Sequence, residues 1–226
     1  MRATPSPGER PASGTSRPVA RRAAVVAAAA GGMYAVLTVL VATGLADPLD
    51  ASARQYFRPD DVWGAIQLRA DVVVEGLRPT RVALALPVVA GVTAAVRRSW
   101  RPLWVALLVG VTSVGLVLLS QLVVARPDTH GVVGTHGGSY PSGHVAILLA
   151  VLGGCLLVVE TTAWWWAVVV LLDLLMGWCL MLQAAHWLTD VVGGALLGTC
   201  VLATVAFVSA REPRRPVAIR RSRPPP

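Results

Sequence analysis

Lysine is missing from the 226-residue chain; all 20 of its basic residues are arginine. Charge of any kind is scarce, at 14% of residues against 55% hydrophobic. That is too apolar for an ordinary soluble domain and points to a chain that crosses a membrane several times. Cysteine is sparse as well. Cys155, Cys179 and Cys200 all fall inside apolar runs, so they read as small buried hydrophobes. An odd count with none in a loop argues against a disulfide framework. Acidic residues number only 12, which leaves a formal net charge of +8. Such an excess can mark nucleic-acid binding. Here it lies in the two tails and one short loop, beside apolar runs, and positive-inside topology explains it better. Nucleic acid is therefore not an expected partner.

What is abundant is apolar sequence in long runs, at residues 23–46, 82–96, 103–125, 145–160, 163–185 and 188–210. Each is near the ~20 residues that cross a bilayer as a helix, and in lipid the backbone has to satisfy its own hydrogen bonds. The expectation is an all-α membrane protein with six transmembrane helices. A cleaved signal peptide is the rival reading of the first run, but its apolar core would be shorter, about 7–15 residues. Residues 1–22, rich in Pro, Ser, Gly and Arg, read as a disordered cytoplasmic arm, and residues 211–226 as a basic, proline-rich cytoplasmic tail. The membrane domain is then 23–210. Arg220, Arg221 and Arg223 either lie against anionic lipid or only enforce topology. Six spans put both termini inside, together with the turn at Arg97, Arg98 and Arg101 and the turn at Glu160-Thr161-Thr162. Trp100, Trp104, Trp164, Trp165 and Trp166 then fall at the inner interface and Trp187 at the outer one. Residues 47–81 stay outside. Within them Val62, Trp63, Ile66, Ala70, Val73, Val74 and Leu77 recur at helical spacing, as a helix on the outer leaflet or one packed against the bundle.

Three short motifs sit where apolar runs meet polar loops, all on the outer side of this topology: Arg126-Pro127, Pro141-Ser142-Gly143-His144 and His186-x-x-x-Asp190. His186 and Asp190, four apart, share a helix face. A carboxylate beside an imidazole fixes its tautomer and raises its basicity, leaving the other ring nitrogen to attack or to bind metal. The plain structural reading is a helix-end histidine satisfied by a neighbouring acid. Ser142 can cap a helix, and Gly143 lets its backbone approach a ligand. A helix start offers free N–H groups to an anion, with His144 on the first turn; the plain alternative is an ordinary helix start with an incidental histidine. Arg126 carries a planar fork suited to phosphate, or else anchors a helix at the headgroups.

In this order the three motifs resemble the type 2 phosphatidic acid phosphatase (PAP2) superfamily, over roughly residues 80–210. The resemblance implies a PAP2-like helical core and a metal-independent phosphatase. It would act on a lipid phosphate or diphosphate at the outer face of a bacterial plasma membrane, with membrane lipids around it. It implies His186 as the nucleophile of a phosphohistidine intermediate, Asp190 as its orienting acid and His144 as the general acid. Arg126, Ser142 and the Gly143 amide would bind the phosphoryl oxygens. No cofactor or metal is implied, since N–H and O–H donors hold the phosphate.

The chain departs from the family pattern twice. A Lys is expected where Leu119 stands, and a Ser-Arg pair where Cys179 and Leu180 stand. Gln121, Gln183, His130 and His136 are the plausible substitutes. Losing one preorganised donor typically costs ~3–4 kcal/mol. The second reading is therefore a catalytically lapsed PAP2-like protein that binds lipid phosphate or serves as a partner subunit. A haem between His144 and His186 would leave Asp190 and Arg126 without purpose. His130 and His136 sit in a glycine-rich loop, and two histidines alone make a poor metal site. Asp173, in the middle of the fifth run, is expected to face the bundle, hydrogen-bonded, without a catalytic role.

Overall fold

The computed structural model describes residues 16–134 and 137–211. Among them the chain forms nine α-helices and one 3₁₀ turn: α1 (Ser16–Ala42), α2 (Asp47–Phe57), the turn Pro59–Asp61, α3 (Ala65–Gly76), α4 (Pro79–Val82), α5 (Ala85–Arg97), α6 (Arg101–Val124), α7 (Gly143–Val159), α8 (Ala163–Leu182) and α9 (Leu188–Arg211). The boundaries follow local chemistry. Proline stands in the first turn of α2, α4 and α6, where its missing N–H costs nothing. Arg98, Ala125 and Glu160 end α5, α6 and α7 in the left-handed conformation, which satisfies a last-turn carbonyl and turns the chain back.

The protein is all-α with several membrane-crossing helices. Four helices, α1, α6, α8 and α9, are long and apolar enough to cross a bilayer; the segment Ala65–Val82 with Ala85–Arg97, bent by 47°, is apolar enough to make a fifth if the two limbs act as one broken span. The run expected at 82–96 as one short span is thus the second limb of a broken element, interrupted at Ala83–Leu84. Helix α7 has only 17 residues, a little short of the usual crossing length. Residues 16–22, expected within an unstructured arm, are helical. The rest of that arm, the tail after Arg211, and Thr135 and His136 lie outside the described residues.

Helix α7 is the hub. It is apolar on all sides, as a helix surrounded by protein must be, and Val145, Ala146, Leu148 and Ala150 are fully buried. One cluster joins it to Leu86, Val109, Val169 and Val201 of α5, α6, α8 and α9. A second joins Val145 and Leu148 to Met176 and Leu180 of α8 and to Ala70 and Val74 of α3. Helix α3 therefore packs against the bundle, with Ile66 and Val72 left exposed. Large apolar residues on the outer faces of α1, α6 and α8, among them Val36, Leu122 and Leu171, are also exposed, as a lipid-facing surface requires.

Without a hydrophobic drive between helices in lipid, close backbone packing matters. Helix α9 meets the start of α7 through Gly194 and Gly198. A Cβ at Gly194 would come 2.7 Å from the Ser142 carbonyl oxygen, and one at Gly198 would come 3.1 Å from that of Ala146. The bundle has two polar ends. At one, Arg97 and Arg101 bond the Val159 carbonyl (2.9 Å), Glu160 (3.1 Å) and the Ser209 carbonyl (3.0 Å). The other gathers the end of α6, the start of α7, the end of α8 and the start of α9. Gly194→Ala should force α9 off α7 at a backbone contact that cannot yield. We expect a loss of about 1–3 kcal/mol, read as a lower unfolding midpoint in detergent micelles.

Candidate active site

Helix α6 stops at Ala125, and Pro127 prevents its continuation. The loop then folds back along the helix end. The Gly138 amide donates to the Gln121 carbonyl at 2.8 Å, and the Ser139 amide to that of Arg126 at 2.7 Å. A side chain at Gly138 would run into the Arg126 backbone, so a bare backbone is what allows the return. Tyr140, fully buried, stacks on Tyr34 at 5.9 Å and shares a hydrogen bond with Thr38 at 3.0 Å. The Ser142 amide donates to the Asp190 carbonyl at 2.9 Å, tying the start of α7 to the start of α9.

This framework brings all three motifs together. The His144 and His186 rings face each other at 6.0 Å between centroids. Nδ1 of His186 lies 3.4 Å from Asp190 Oδ2, and the same oxygen accepts the Trp187 amide at 3.2 Å. The other oxygen, Oδ1, accepts Nη1 of Arg126 at 3.2 Å. Asp190 is completely buried, and each carboxylate oxygen is thus occupied by a donor or an imidazole. Ser142 is completely buried too, and its Oγ has no hydrogen-bond partner among the described residues.

Arg126 is held by more than Asp190. Nη1 also donates to Thr189 Oγ1 at 2.7 Å, and Nη2 donates to Asp50 at 2.7 Å and to Asp47 at 3.3 Å. Its guanidinium lies 5.0 Å from the Trp187 ring, a cation–π contact. The Trp187 indole donates to the Pro127 carbonyl at 3.0 Å, and Thr129 Oγ1 donates to the Ala184 carbonyl. The loop carrying Arg126 is therefore fastened on both sides of His186.

His144 lies in the first turn of α7, partly buried beside the His186 ring.

Leu180 lies in the apolar cluster around Met176 and Leu148, and Leu119 is more than half exposed on the outer face of α6. Neither position offers a cation. Among the suggested substitutes, Gln121 Nε2 donates to the Pro141 carbonyl at 3.2 Å, beside Ser142. Gln183 is turned to Asp71, and its carbonyl accepts Arg58 Nη1 at 2.7 Å. His130 is exposed, and its amide donates to Asp128. Asp173 is buried as expected, but its Oδ1 finds no hydrogen-bond partner among the described residues.

Reading the motifs alone missed Asp47, Asp50 and Thr189. The available signal was the Asp47-Pro48-Leu49-Asp50 stretch, which puts two acids in the first turn of a helix on the side of the bundle where the motifs emerge.

The PAP2 superfamily profile matches residues 31–213. The chain belongs to the PAP2 superfamily. No curated protein sequence matches it. Among solved structures, this PAP2 chain resembles the first transmembrane PAP2-type phosphatidylglycerolphosphate phosphatase from Bacillus subtilis. The two share 16% identity, with a TM-score of 0.69 over 84% of this chain and 98% of that one. At that identity the likeness is one of fold.

Two desolvated carboxylates, Asp50 and Asp190, share one guanidinium that is itself nine-tenths buried. Removing the partner of such a buried pair costs about 3–5 kcal/mol, because the charge left behind has no water. Arg126→Gln in this PAP2 protein should lower the unfolding free energy by that amount, measured by denaturant titration in micelles.

Proposed function

We propose that this protein hydrolyses a lipid phosphate or diphosphate through a phosphohistidine intermediate, at the outer face of a bacterial plasma membrane. The observation that carries the reading is the pairing of two imidazoles at 6.0 Å, one of them backed by a buried carboxylate. PAP2 membership and a fold shared with a PAP2-type lipid phosphatase support the substrate class. In the proposed topology six helices cross, with α7 as the short central one and α3–α5 as the broken one. Both termini and the Arg97–Arg101 end are cytoplasmic, so the motif end faces outward.

In the first step Nε2 of His186 attacks phosphorus, with Nδ1 held toward Asp190. The bond from phosphorus to the lipid oxygen breaks, and His144 delivers a proton to that oxygen. In the second step water attacks the phosphohistidine, His144 takes the proton of that water, and the P–N bond breaks to release phosphate. Ser142 Oγ, buried and without a partner among the described residues, and the Gly143 amide at the start of α7 donate to the phosphoryl oxygens. Arg126 supplies charge from the Asp190 side. Its longest contact is to the exposed Asp47, at 3.3 Å, and a phosphoryl oxygen that displaces Asp47 gains Nη2. The donor set is N–H and O–H groups, and the reaction proceeds without metal.

The lapsed-binder reading keeps one specific support: the apolar side chains at 119 and 180. Phosphate release from a panel of lipid phosphates, using purified protein with chelator present, separates the two. Turnover that vanadate blocks and His186→Ala abolishes is the expected result. Lipid-phosphate binding without turnover in the wild type would instead make it a binder.

A further inference from the structure

Asp50 touches neither imidazole, yet it grips Arg126, which donates to Asp190, and Thr189, which precedes it. Its Oδ2 accepts Nη2 of Arg126 at 2.7 Å and the Thr189 hydroxyl at 2.6 Å, while its Oδ1 accepts the Thr189 amide at 2.9 Å. Arg126 reaches Asp190 through its other terminal nitrogen at 3.2 Å, and Thr189 is the residue before Asp190. The Thr189 amide lies in the first turn of α9, where no intrahelical acceptor exists. Asp50 supplies that acceptor from another element. A carboxylate there also complements the positive helix end.

The charges point the same way. Arg126 set against Asp190 alone would draw the carboxylate away from His186. Asp50, fully buried, and Asp47, mostly exposed, offset the guanidinium from its far side. That leaves Asp190 Oδ2 for the His186 ring and the Trp187 amide. Apolar packing of α2 does not explain the burial of Asp50. Only Asp50 and Ala53 of that helix are buried, while Leu49 and Tyr56 are exposed. Phe57, at the far end of the helix, meets the Trp178 ring of α8 edge-on at 4.8 Å; the other fastenings are polar, at Asp50 and, just past the helix end, at Arg58, which donates to the Gln183 carbonyl at 2.7 Å.

We propose that Asp50 is a positioning residue for the Asp190–His186 pair, acting through Arg126 and Thr189. The kinetic part of the inference rests on the phosphohistidine reading; the structural part does not. The test uses the full chain in micelles and the near-isosteric Asp50→Asn, which keeps an acceptor for the Thr189 amide and removes the charge. With a short-chain lipid phosphate, kcat should fall about tenfold to a hundredfold, the range for partners that orient a reactive group at one remove. KM should change less than kcat, since the proposed loss lies in the chemical step while Arg126 keeps its other partners. Asp50→Asn and Asp190→Asn should be less than additive in the double variant, because the first acts through the second.

Independently of turnover, protein labelled with ¹⁵N-histidine should show a low-field Nδ1–H resonance that His186→Gln removes and Asp50→Asn shifts upfield or broadens. Thr189→Val, which breaks the hydroxyl bridge and keeps the amide, should move the same readouts in the same direction and serves if Asp50→Asn does not fold. An unmoved resonance overturns the proposal. So does unchanged kcat with tighter vanadate binding, which would make Asp50 a plug in the anion site. If the wild type releases no phosphate, the phosphatase reading falls and the resonance alone judges Asp50.

Discussion

The guanidinium of Arg126 lies between carboxylates that come from opposite ends of the chain, Asp50 in α2 and Asp190 in α9. All three groups are nearly or wholly removed from solvent, where an unpaired charge is far more costly than in water. That cost links elements which share little apolar surface. Helix α2 is drawn over the bundle end, the loop after α6 is folded inward, and the first turn of α9 is pinned. His186 precedes α9 by two residues and inherits its place from this arrangement.

A second constraint is the bilayer. Spans of similar length return the chain repeatedly to the same two planes, so polar groups at helix ends meet without needing loops to bring them across the fold. The short α7, apolar beyond its first turn, makes use of this. Packed against α5, α6, α8 and α9, it is largely buried, and its start carries Ser142, Gly143 and His144 into the middle of the polar end. The Gly194 and Gly198 contacts let α9 approach closely enough for the Ser142 amide to reach the Asp190 carbonyl. Packing of small residues in the membrane and alignment of polar groups at its edge are one structural feature.

Much of this was legible from residue order. The apolar runs located α6, α7, α8 and α9 to within a few residues, and α1 except for its first turns, which lie in the polar stretch 16–22, because the length and polarity of a span are properties of the run itself. The motif residues were legible because their chemistry is unusual at the margin of apolar sequence. The break at Ala83–Leu84 had one signal, Pro87, which has no N–H to give the Ala83 carbonyl four residues back, but hydropathy alone runs straight through it. Residue order alone fits α3 on a leaflet or against the bundle, since both select for the same apolar stripe; the burial of Ala70 and Val74 places it against the bundle. The hydrogen bond expected for the buried Asp173 depended on neighbours that spacing does not specify, and its Oδ1 finds none among the described residues.

The sequence by itself determined that this is a helical membrane protein of PAP2 pattern, with its histidines, serine and arginine at the ends of spans. These are local properties: hydropathy over ~20 residues and a few side chains at helical spacing. Only the tertiary structure decided which groups share a charge. It placed Asp50, 76 residues before Arg126, against that guanidinium, left Leu119 facing outward and buried Leu180 in the core. Pairing across such separations is set by how helices pack and where charge can escape water, and no local stretch of residues encodes either.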